Sequence, residues 1–229
     1  MNRNMNMKCE ICRTNEAKYV CISCKKHVCA SCFRPLLGLC VDCSPMVPLK
    51  VDSMERLKGE LRKCITFGDF VLTGGKRSSY YVNIKNLITN PEILGLIGRE
   101  LSWRITECTK IAGVEPGAVP LLVAATSLHS GKPCIIIRKG STERGVKAEE
   151  EYIGTINRGE KFCVIEDVTT TGASASSAYK IIRKNGGMVG RVVTVVDREE
   201  GAKDLFESEG VELVSLFRIS ELIRASELR

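Results

Sequence analysis

Apolar residues along this chain cluster in short runs that are separated by polar turns. Five of these runs are about three to seven residues long and rich in Val, Ile and Leu. Apolar runs of this length without alternation are typical of strands buried on both faces, as in a parallel sheet covered by helices. We therefore predict strands over residues 110–112, 134–139, 162–165, 192–196 and 211–217.

The segments between the strands carry helix signals. Met54, Leu57 and Leu61 recur at helical spacing. The tripeptide Asn90-Pro91-Glu92 combines a capping side chain, a proline at the first helical position and an acid in the first turn. We predict helices over residues 53–64, 91–108, 173–184, 202–209 and 220–228. Because strands and helices alternate, the pattern indicates an α/β fold.

One segment departs from this alternation. Residues 67–85 contain two short β-prone runs on either side of a Gly-Gly-Lys-Arg turn. Taken alone, this pattern predicts only a β-hairpin.

Composition limits the classes of protein to which the chain can belong. Its 229 residues suffice for one α/β core and a small additional module. No apolar run approaches the ~20 residues of a membrane span, and the N-terminus lacks the apolar core of a signal peptide. We therefore expect a cytoplasmic protein without a membrane partner. The formal charge of +7 would fall by about 4 if eight cysteines bound two zinc ions as thiolates, so charge alone does not indicate nucleic-acid binding.

Cysteine is concentrated near the N-terminus in four pairs with one spacing. The pairs are Cys9/Cys12, Cys21/Cys24, Cys29/Cys32 and Cys40/Cys43. Two thiolates separated by two residues can bind one zinc ion together, so four such pairs predict two structural Zn²⁺ sites with four cysteines each. A disulfide framework would need an oxidising compartment, which nothing in the sequence indicates. The other cysteines, Cys64, Cys108, Cys134 and Cys163, lie in apolar settings and are interpreted as core thiols.

The gaps between the pairs favour a cross-braced arrangement over two sequential sites. One ion would be bound by Cys9, Cys12, Cys29 and Cys32, and the other by Cys21, Cys24, Cys40 and Cys43. The segment resembles B-box and related treble-clef zinc fingers. His27 is an alternative ligand, although a histidine between cysteine pairs is more often exposed to solvent. Two prolines in residues 44–48 indicate a linker, so we predict a zinc-binding domain over residues 1–47 and a second domain over residues 48–229.

The sequence does not identify the partner of this zinc finger. Such modules usually bind proteins and sometimes bind nucleic acid. Four basic residues among few aromatic ones are a weak nucleic-acid signature, and a solvated surface is the better interpretation; they are Lys18, Lys25, Lys26 and Arg34. Nucleic acid is therefore the less favoured partner, but it stays an alternative to a protein.

The strongest chemical signal is the stretch of residues 163–174. Its apolar strand ends at Glu166 and Asp167, and three threonines and a glycine follow before the predicted helix. A strand, a tight turn and a helix N-terminus form a site for a phosphate dianion. Carboxylates at the end of the strand can accept hydrogen bonds from ribose hydroxyls. The simpler alternative is that the acids only end the strand and the threonines form a polar turn.

The same stretch resembles the motif for 5-phosphoribosyl 1-pyrophosphate (PRPP) in type I phosphoribosyltransferases. The resemblance implies that fold, with a parallel sheet flanked by helices and a small hood. It also implies that the turn holds the 5′-phosphate of PRPP while Glu166 and Asp167 hold the ribose diol, with Asp167 in the catalytic set. The implied turn residues are Val168, Thr169, Thr170, Thr171, Gly172, Ala173 and Ser174.

Further segments resemble orotate phosphoribosyltransferases. Residues 67–85 are similar to the segment that closes over the pyrimidine ring in that family, which implies that Tyr81 and Val82 lie beside the base. Residues 113–120 resemble the family's pyrophosphate loop and imply that Glu115 and Gly117 bind substrate. Its glycines let backbone N–H groups approach a ligand.

Residues 138–147 resemble the flexible catalytic loop of these enzymes, which reaches into the neighbouring subunit. The resemblance implies a homodimer and a catalytic role for Arg138, Lys139 and Arg144 at the departing pyrophosphate. Thr142 replaces a lysine that is usual in the family, and this difference bears on catalysis. The family resemblance also implies Mg²⁺ bound with PRPP.

An Asp-Arg pair follows the predicted strand at residues 192–196, as it does in the orotate enzymes. The resemblance implies that Arg198 binds the orotate carboxylate by a two-pronged contact. The alternative is a local ion pair between Asp197 and Arg198. The lone His129, at the end of a helix, is expected to have no chemistry.

Together these features predict an orotate phosphoribosyltransferase with an N-terminal zinc finger. Its reaction would join orotate and PRPP to give orotidine 5′-phosphate and pyrophosphate, in the synthesis of pyrimidine nucleotides. One alternative is a weak or inactive relative that senses PRPP or a nucleotide and acts through its zinc finger. The other is a transferase for a different base.

Overall fold

The computed structural model describes residues 7–34, 38–43, 51–71, 77–139 and 151–223. The predicted linker and domain boundary at residues 44–48 lie outside the described residues. The same holds for most of the hairpin turn and for the loop that contains Thr142 and Arg144.

The cysteine-rich segment, residues 7–34 and 38–43, contains two small antiparallel ladders. Strands β1 (Tyr19–Val20) and β2 (His27–Val28) form one, and β3 (Phe33–Arg34) and β4 (Leu39–Cys40) form the other. The rings of Tyr19 and Phe33 stack with their centroids 4.6 Å apart. Cysteine side chains fill the interior of this segment, because so short a segment has few other apolar groups to bury.

The predicted hairpin is present as a separate two-stranded sheet. Strand β5 (Ile65–Val71) pairs antiparallel with β6 (Arg77–Val82). Along β6, Ser78 and Tyr80 are half-buried while Ser79 and Tyr81 are exposed, as the two-residue period of a strand requires. The hairpin therefore presents one face to the rest of the molecule and one to solvent.

The main sheet confirms the five predicted strands and adds a sixth. Its strands are β7 (Lys110–Val114), β8 (Cys134–Ile137), β9 (Tyr152–Ile153), β10 (Lys161–Thr169), β11 (Met188–Asp197) and β12 (Glu212–Arg218). Within the described residues their order is β12-β11-β10-β7-β8-β9. All strand pairs are parallel except β8–β9. The sheet is therefore mixed, whereas the sequence predicts a parallel sheet. Two-residue β9 carries no periodic signal and could not be predicted from the sequence.

Helices follow the predicted order with small changes at their ends. They are α1 (Val51–Arg62), α2 (Pro91–Arg104), α3 (Val119–Val123), α4 (Ala173–Lys184), α5 (Ala202–Ser208) and α6 (Ile219–Leu222). Asn90 caps α2 as predicted, since its side chain accepts hydrogen bonds from the backbone N–H groups of Glu92 and Ile93. Helix α2 ends at Arg104, before the predicted residue 108. No described helix is long and apolar enough to cross a bilayer.

The main sheet is covered on both faces. Cys163 and Ile165 of β10 pack into a core with helices α1, α2 and α3, while Phe162 and Val164 pack into a second core with α4 and α5. Neighbouring strand residues point to opposite faces, and both kinds of position are apolar here. This explains why the strand runs are continuously apolar. It also leaves the carboxyl-terminal edge of the sheet as the open side.

Candidate active site and cysteine clusters

Two adjoining cavities lie at the carboxyl-terminal edge of the main sheet. The larger has a volume of about 590 Å³ and extends from the β5–β6 hairpin to the turn before α4. The smaller, of about 100 Å³, lies beside the loop after β7. Asp167 and Lys85 line both cavities, so the cavities meet at these two side chains.

The turn between β10 and α4 has the predicted form. Gly172 has a φ of +81°, and a β-carbon there would lie 2.8 Å from the Phe206 ring, so glycine fits this position on two grounds. Helix α4 begins at Ala173, and no described side chain caps its N-terminus. The first-turn N–H groups therefore have no side-chain acceptor of their own, and the positive end of the helix dipole lies at the cavities.

The turn residues differ in what they face. Val168, Thr170 and Thr171 line the large cavity, whereas Ser174 lines the small one. Thr169 is buried and its hydroxyl has no hydrogen-bond partner among the described residues. Thr169, Gly172 and Ala173 line neither cavity.

The two acids of the motif are in different environments. Strand β10 continues through both residues, so Asp167 is half-buried and faces the cavities while Glu166 is buried. Burial raises the pKa of Glu166 to about 7. Its Oε2 atom has no hydrogen-bond partner among the described residues. Glu166 nevertheless lines the small cavity, so a ligand there could supply the missing partner.

The loop after β7 closes tightly on Asp167. A β-carbon on Gly117 would lie 2.6 Å from Asp167 Oδ2. Glu115 and Gly117 line the small cavity, as does Lys139 after β8. The cavity thus combines acidic oxygens, a lysine and a glycine backbone, a set that suits a phosphorylated ligand and its cation.

The hairpin forms one wall of the large cavity. Tyr81 is 41% exposed, and its ring centroid lies 5.7 Å from that of Phe70. Val82 is buried beside it, and all three residues line the cavity. An apolar and aromatic wall of this kind suits a flat ring.

Arg198 joins the hairpin to the end of β11. Its Nη2 atom donates to Ser78 Oγ at 3.0 Å, and it forms an ion pair with Glu200 Oε1 at 2.8 Å. Its guanidinium lies over the Tyr80 ring, 4.5 Å from the centroid. Arg198 and Glu200 both line the large cavity.

The predicted alternative of an ion pair between Asp197 and Arg198 is not found in the structure. Arg198 pairs with Glu200, while Asp197 Oδ1 accepts from the backbone N–H of Glu199 at 2.8 Å. Burial raises the pKa of Asp197. Arg198 is therefore turned toward the hairpin and the large cavity.

The remaining predicted catalytic residues are only partly described. Lys139 lines the small cavity, and Arg138 is exposed at the end of β8, where its backbone N–H donates to Glu151 O at 3.0 Å. Arg144 and Thr142 lie outside the described residues.

Sequence reasoning missed three residues of the site. Lys85 lines both cavities, and Ser78 and Glu200 contact Arg198. Lys85 could have been predicted from the sequence. Apolar residues alternate with polar ones at Val82 and Ile84, so Lys85 follows on the polar side at the end of the hairpin. The contact of Ser78 depends on how the hairpin packs on the end of β11, for which a single sequence has no signal. Glu200 lies only two residues after Arg198, but a sequence does not show whether so near an acid turns toward the arginine.

The eight N-terminal cysteines form two groups of four. The groups are Cys9, Cys12, Cys29 and Cys32, and Cys21, Cys24, Cys40 and Cys43, with the Sγ atoms of each group within 4.8 Å of one another. These groups have the predicted cross-braced pairing. Four sulfurs about 2.3 Å from one zinc ion are about 3.8 Å apart. The Cys12–Cys29 and Cys24–Cys40 Sγ distances, 3.7 and 3.6 Å, fit this spacing.

The pKa values of these thiols differ within one group: burial raises that of Cys32 to about 12, whereas that of Cys12 is lowered. The Asn15 backbone N–H and the Thr14 hydroxyl lower the pKa of Cys12 to about 5, and the thiolate is the form that binds zinc. His27 is exposed on β2 and belongs to neither group, which confirms the prediction that it faces solvent.

Comparisons with known proteins bear on the family of the chain. No protein-family model matches the chain. The chain is 49% identical over 158 residues to the orotate phosphoribosyltransferase of Picrophilus torridus, covering 69% of this chain and 93% of that protein. It is 48% identical over 175 residues to the orotate phosphoribosyltransferase of Methanocaldococcus jannaschii, covering 75% of this chain and 98% of that protein.

A solved structure gives the same result for the fold. The orotate phosphoribosyltransferase of Mycobacterium tuberculosis H37Rv, in complex with inorganic phosphate, matches with a TM-score of 0.61 at 27% identity. The match covers 75% of this chain and 98% of that structure. The chain is almost 50% identical to two orotate phosphoribosyltransferases over nearly their whole lengths, and it shares the fold of a third. It therefore belongs to the orotate phosphoribosyltransferase family and is a pentosyltransferase.

Proposed function

We propose that orotate and the ribose 5-phosphate part of PRPP bind in the large cavity, and that the pyrophosphate binds in the small one. The observation that carries this proposal is that Asp167 and Lys85 line both cavities. The ribose C1 atom, where one bond breaks and another forms, would then lie where the cavities meet. The products are orotidine 5′-phosphate in the large cavity and pyrophosphate in the small one.

The sugar phosphate would be held by the turn before α4. Thr170 and Thr171 present hydroxyls to the large cavity, and the uncapped helix N-terminus adds N–H donors. Asp167 and Glu166 would accept hydrogen bonds from the ribose hydroxyls. The unpartnered Glu166 Oε2 supports this role, because a ribose hydroxyl would satisfy it.

Bond breaking would rely on cations at the leaving group. As pyrophosphate departs, positive charge develops at C1 and negative charge on the bridging oxygen. Lys139 lines the small cavity and would stabilise that oxygen, with Arg138 and Arg144 as further cations of the loop. The base nitrogen N1 then bonds to C1 and loses its proton to the departing pyrophosphate, while the bond between C1 and the pyrophosphate oxygen breaks.

The small cavity also suits the Mg²⁺ that accompanies PRPP. Its lining carboxylates, Glu115, Glu166 and Asp167, are the hard oxygen donors that this ion prefers. Glu115 and Asp167 would hold the ion directly or through water. When bound, Mg²⁺ neutralises charge on the pyrophosphate.

Selection of the base would depend on the hairpin and on Arg198. Tyr81 and Val82 offer an apolar wall to a pyrimidine ring. Arg198 is a guanidinium in the same cavity and would bind the carboxylate that distinguishes orotate from uracil.

We also infer a separate zinc-binding domain over residues 1–47, with two structural Zn²⁺ ions and a protein partner. The Sγ spacings support the ions, and about a quarter of the chain lies beyond the alignment with the M. jannaschii enzyme. Thiols arranged as metal ligands suit a reducing compartment, so we place the protein in the cytoplasm. Family membership supports a homodimer in which the loop at residues 138–147 reaches the neighbouring site.

The test is pyrophosphate release from PRPP and Mg²⁺ with orotate, uracil, hypoxanthine or xanthine. We expect turnover with orotate alone, and Arg198→Ala should raise the orotate KM about tenfold or more while the PRPP KM changes little. PRPP binding without turnover on any base would instead indicate a sensor. An Arg198→Ala enzyme that behaves like the wild type would indicate a different base.

A further inference from the structure

The contacts of Arg198 leave no room for a second carboxylate at one of its nitrogens. Nη2 carries two hydrogens, and its two closest acceptors are Glu200 Oε1 at 2.8 Å and Ser78 Oγ at 3.0 Å. The arginine side chain is 3% exposed and that of Glu200 is 12% exposed. The guanidinium is therefore already paired with a carboxylate inside the cavity.

A two-pronged contact with a substrate carboxylate has two possible geometries. It uses either Nη1 and Nη2, end-on, or Nε and Nη2, side-on. Both geometries need a hydrogen of Nη2. A substrate carboxylate must consequently replace one of the two acceptors that Nη2 now has.

Ser78 is the less replaceable of these acceptors. Its hydroxyl donates to Tyr80 O at 2.7 Å and also accepts from the Tyr80 backbone N–H at 3.3 Å. It is thus fixed within β6. Replacing the Glu200 carboxylate by a substrate carboxylate, in contrast, keeps the charge next to the guanidinium unchanged.

The Nε atom of Arg198 favours the side-on geometry for the substrate carboxylate. Nε is buried and has no hydrogen-bond partner among the described residues. A carboxylate bound side-on would give Nε–H a partner and take the place of Glu200 on Nη2. A buried donor without a partner destabilises the ligand-free protein, and a carboxylate bound side-on would remove that cost.

We propose that Glu200 is a specificity-determining residue that occupies Arg198 until the orotate carboxylate replaces it. The inference rests on the proposed function, since it requires orotate as the base. A base without a carboxylate cannot displace Glu200 and leaves Arg198 neutralised. Orotate can make the exchange, but its affinity is reduced by the competition.

The test is the variant Glu200→Gln, which keeps the shape of the side chain and removes its charge. We expect the orotate KM to fall about three- to tenfold, with the PRPP KM and the inhibition constant of uracil unchanged. Glu199→Gln is the matched control, because Glu199 is exposed and its carboxylate accepts from the Ser220 backbone N–H instead. An unchanged or higher orotate KM in folded Glu200→Gln would overturn the proposal.

A second measurement needs no variant. In a crystal structure of the wild-type protein with orotidine 5′-phosphate, we expect Glu200 Oε1 to lie more than about 4 Å from Arg198 Nη2, with the ligand carboxylate on Nη2 and Nε. A retained Glu200 contact beside a bound ligand carboxylate would refute the exchange. If the wild type does not turn over orotate at all, the proposed function fails first, which keeps the two failures distinct.

Discussion

The backbone at Gly117 lies against the carboxylate of Asp167, where a β-carbon on residue 117 would be 2.6 Å from Oδ2 and 2.7 Å from Cγ. No heavy atom approaches a β-carbon that closely without one of them moving. The relationship couples the loop after β7 to the acid that lines both cavities. It also explains why the loop needs glycine at this position, whose φ is not itself unusual.

We expect Gly117→Ala to push Asp167 out of place and to lower kcat/KM for PRPP by at least about tenfold, or ~1.4 kcal/mol. Gly59→Ala in α1 is the control, because nothing lies within 4 Å of a β-carbon there. That variant should keep its activity and gain about 0.5–1 kcal/mol of stability. Steady-state kinetics with PRPP varied and thermal melts of both variants make the comparison. Wild-type kinetics in Gly117→Ala would contradict this explanation.

Glu166 is expected to destabilise the ligand-free protein at alkaline pH. Its folded-state pKa is raised from 4.5 to about 7, so the folded protein binds this proton more tightly than the unfolded chain. The resulting stability is fully present below pH 4.5 and is lost as the pH rises through about 7. Glu166→Gln should therefore raise the free energy of unfolding by on the order of 2–3 kcal/mol at pH 8 and by much less at pH 5. Urea unfolding of both proteins at the two pH values measures this difference.

The same variant should lose activity, because a neutral amide is a weaker acceptor for the ribose hydroxyls. A protein that is more stable at pH 8 and less active would fit a site that is strained for its ligand. Equal stabilisation by Glu166→Gln at both pH values would show that the charge of Glu166 is not the cause.

Ser78 and Ser79 offer a matched pair on neighbouring positions of β6. Ser78 contacts Arg198, whereas Ser79 lies on the exposed face of the strand. Ser78→Ala should raise the orotate KM about fivefold, the value of one hydrogen bond of ~1 kcal/mol, and leave the PRPP KM unchanged. Ser79→Ala should behave as the wild type. Equal effects of the two substitutions on the orotate KM would argue against an anchoring role for Ser78.

Zinc content distinguishes the two possible cysteine pairings. In the cross-braced arrangement, Cys9 and Cys29 belong to one site, so Cys9→Ser/Cys29→Ser should retain about one zinc ion per chain. In a sequential arrangement the same double variant would damage both sites and lose both ions. Cys64→Ser, which lies outside both cysteine groups, should retain two zinc ions. Metal analysis of purified, dialysed protein gives the count, and a wild type without zinc would refute the metal sites altogether.

The sequence predicted most of the framework because its signals are local. Helix α4 was predicted at the bounds it has, since an apolar strand, a glycine turn and the stop at Asn185 delimit it. The cysteine groups followed from pair spacing and gap length alone. Strand β9 was missed because it is held only by pairing with β8, and α2 was predicted too long because the turn after Arg104 has no glycine or proline to mark it.

The site was less predictable in its details. The resemblance assigns Glu166 and Asp167 together to the ribose diol, but a strand that continues through both residues must point them in opposite directions. The burial of Glu166, which raises its pKa, follows from that alternation. The contact of Ser78 with Arg198 joins residues 120 positions apart, and no local pattern reports on it.

The β5–β6 hairpin forms a ladder of its own, apart from the strands that carry the phosphate-binding turn. In the proposed site, the apolar wall for the nucleobase and the turn for the sugar phosphate therefore come from separate segments, while Arg198 adds a base contact from the end of β11. Substitutions in the hairpin can change the wall against the base and leave the phosphate-binding turn unaltered. For protein engineers, a hairpin grafted from a relative, together with changes at residues 198 and 200, is accordingly a route to a transferase that accepts a new heterocycle.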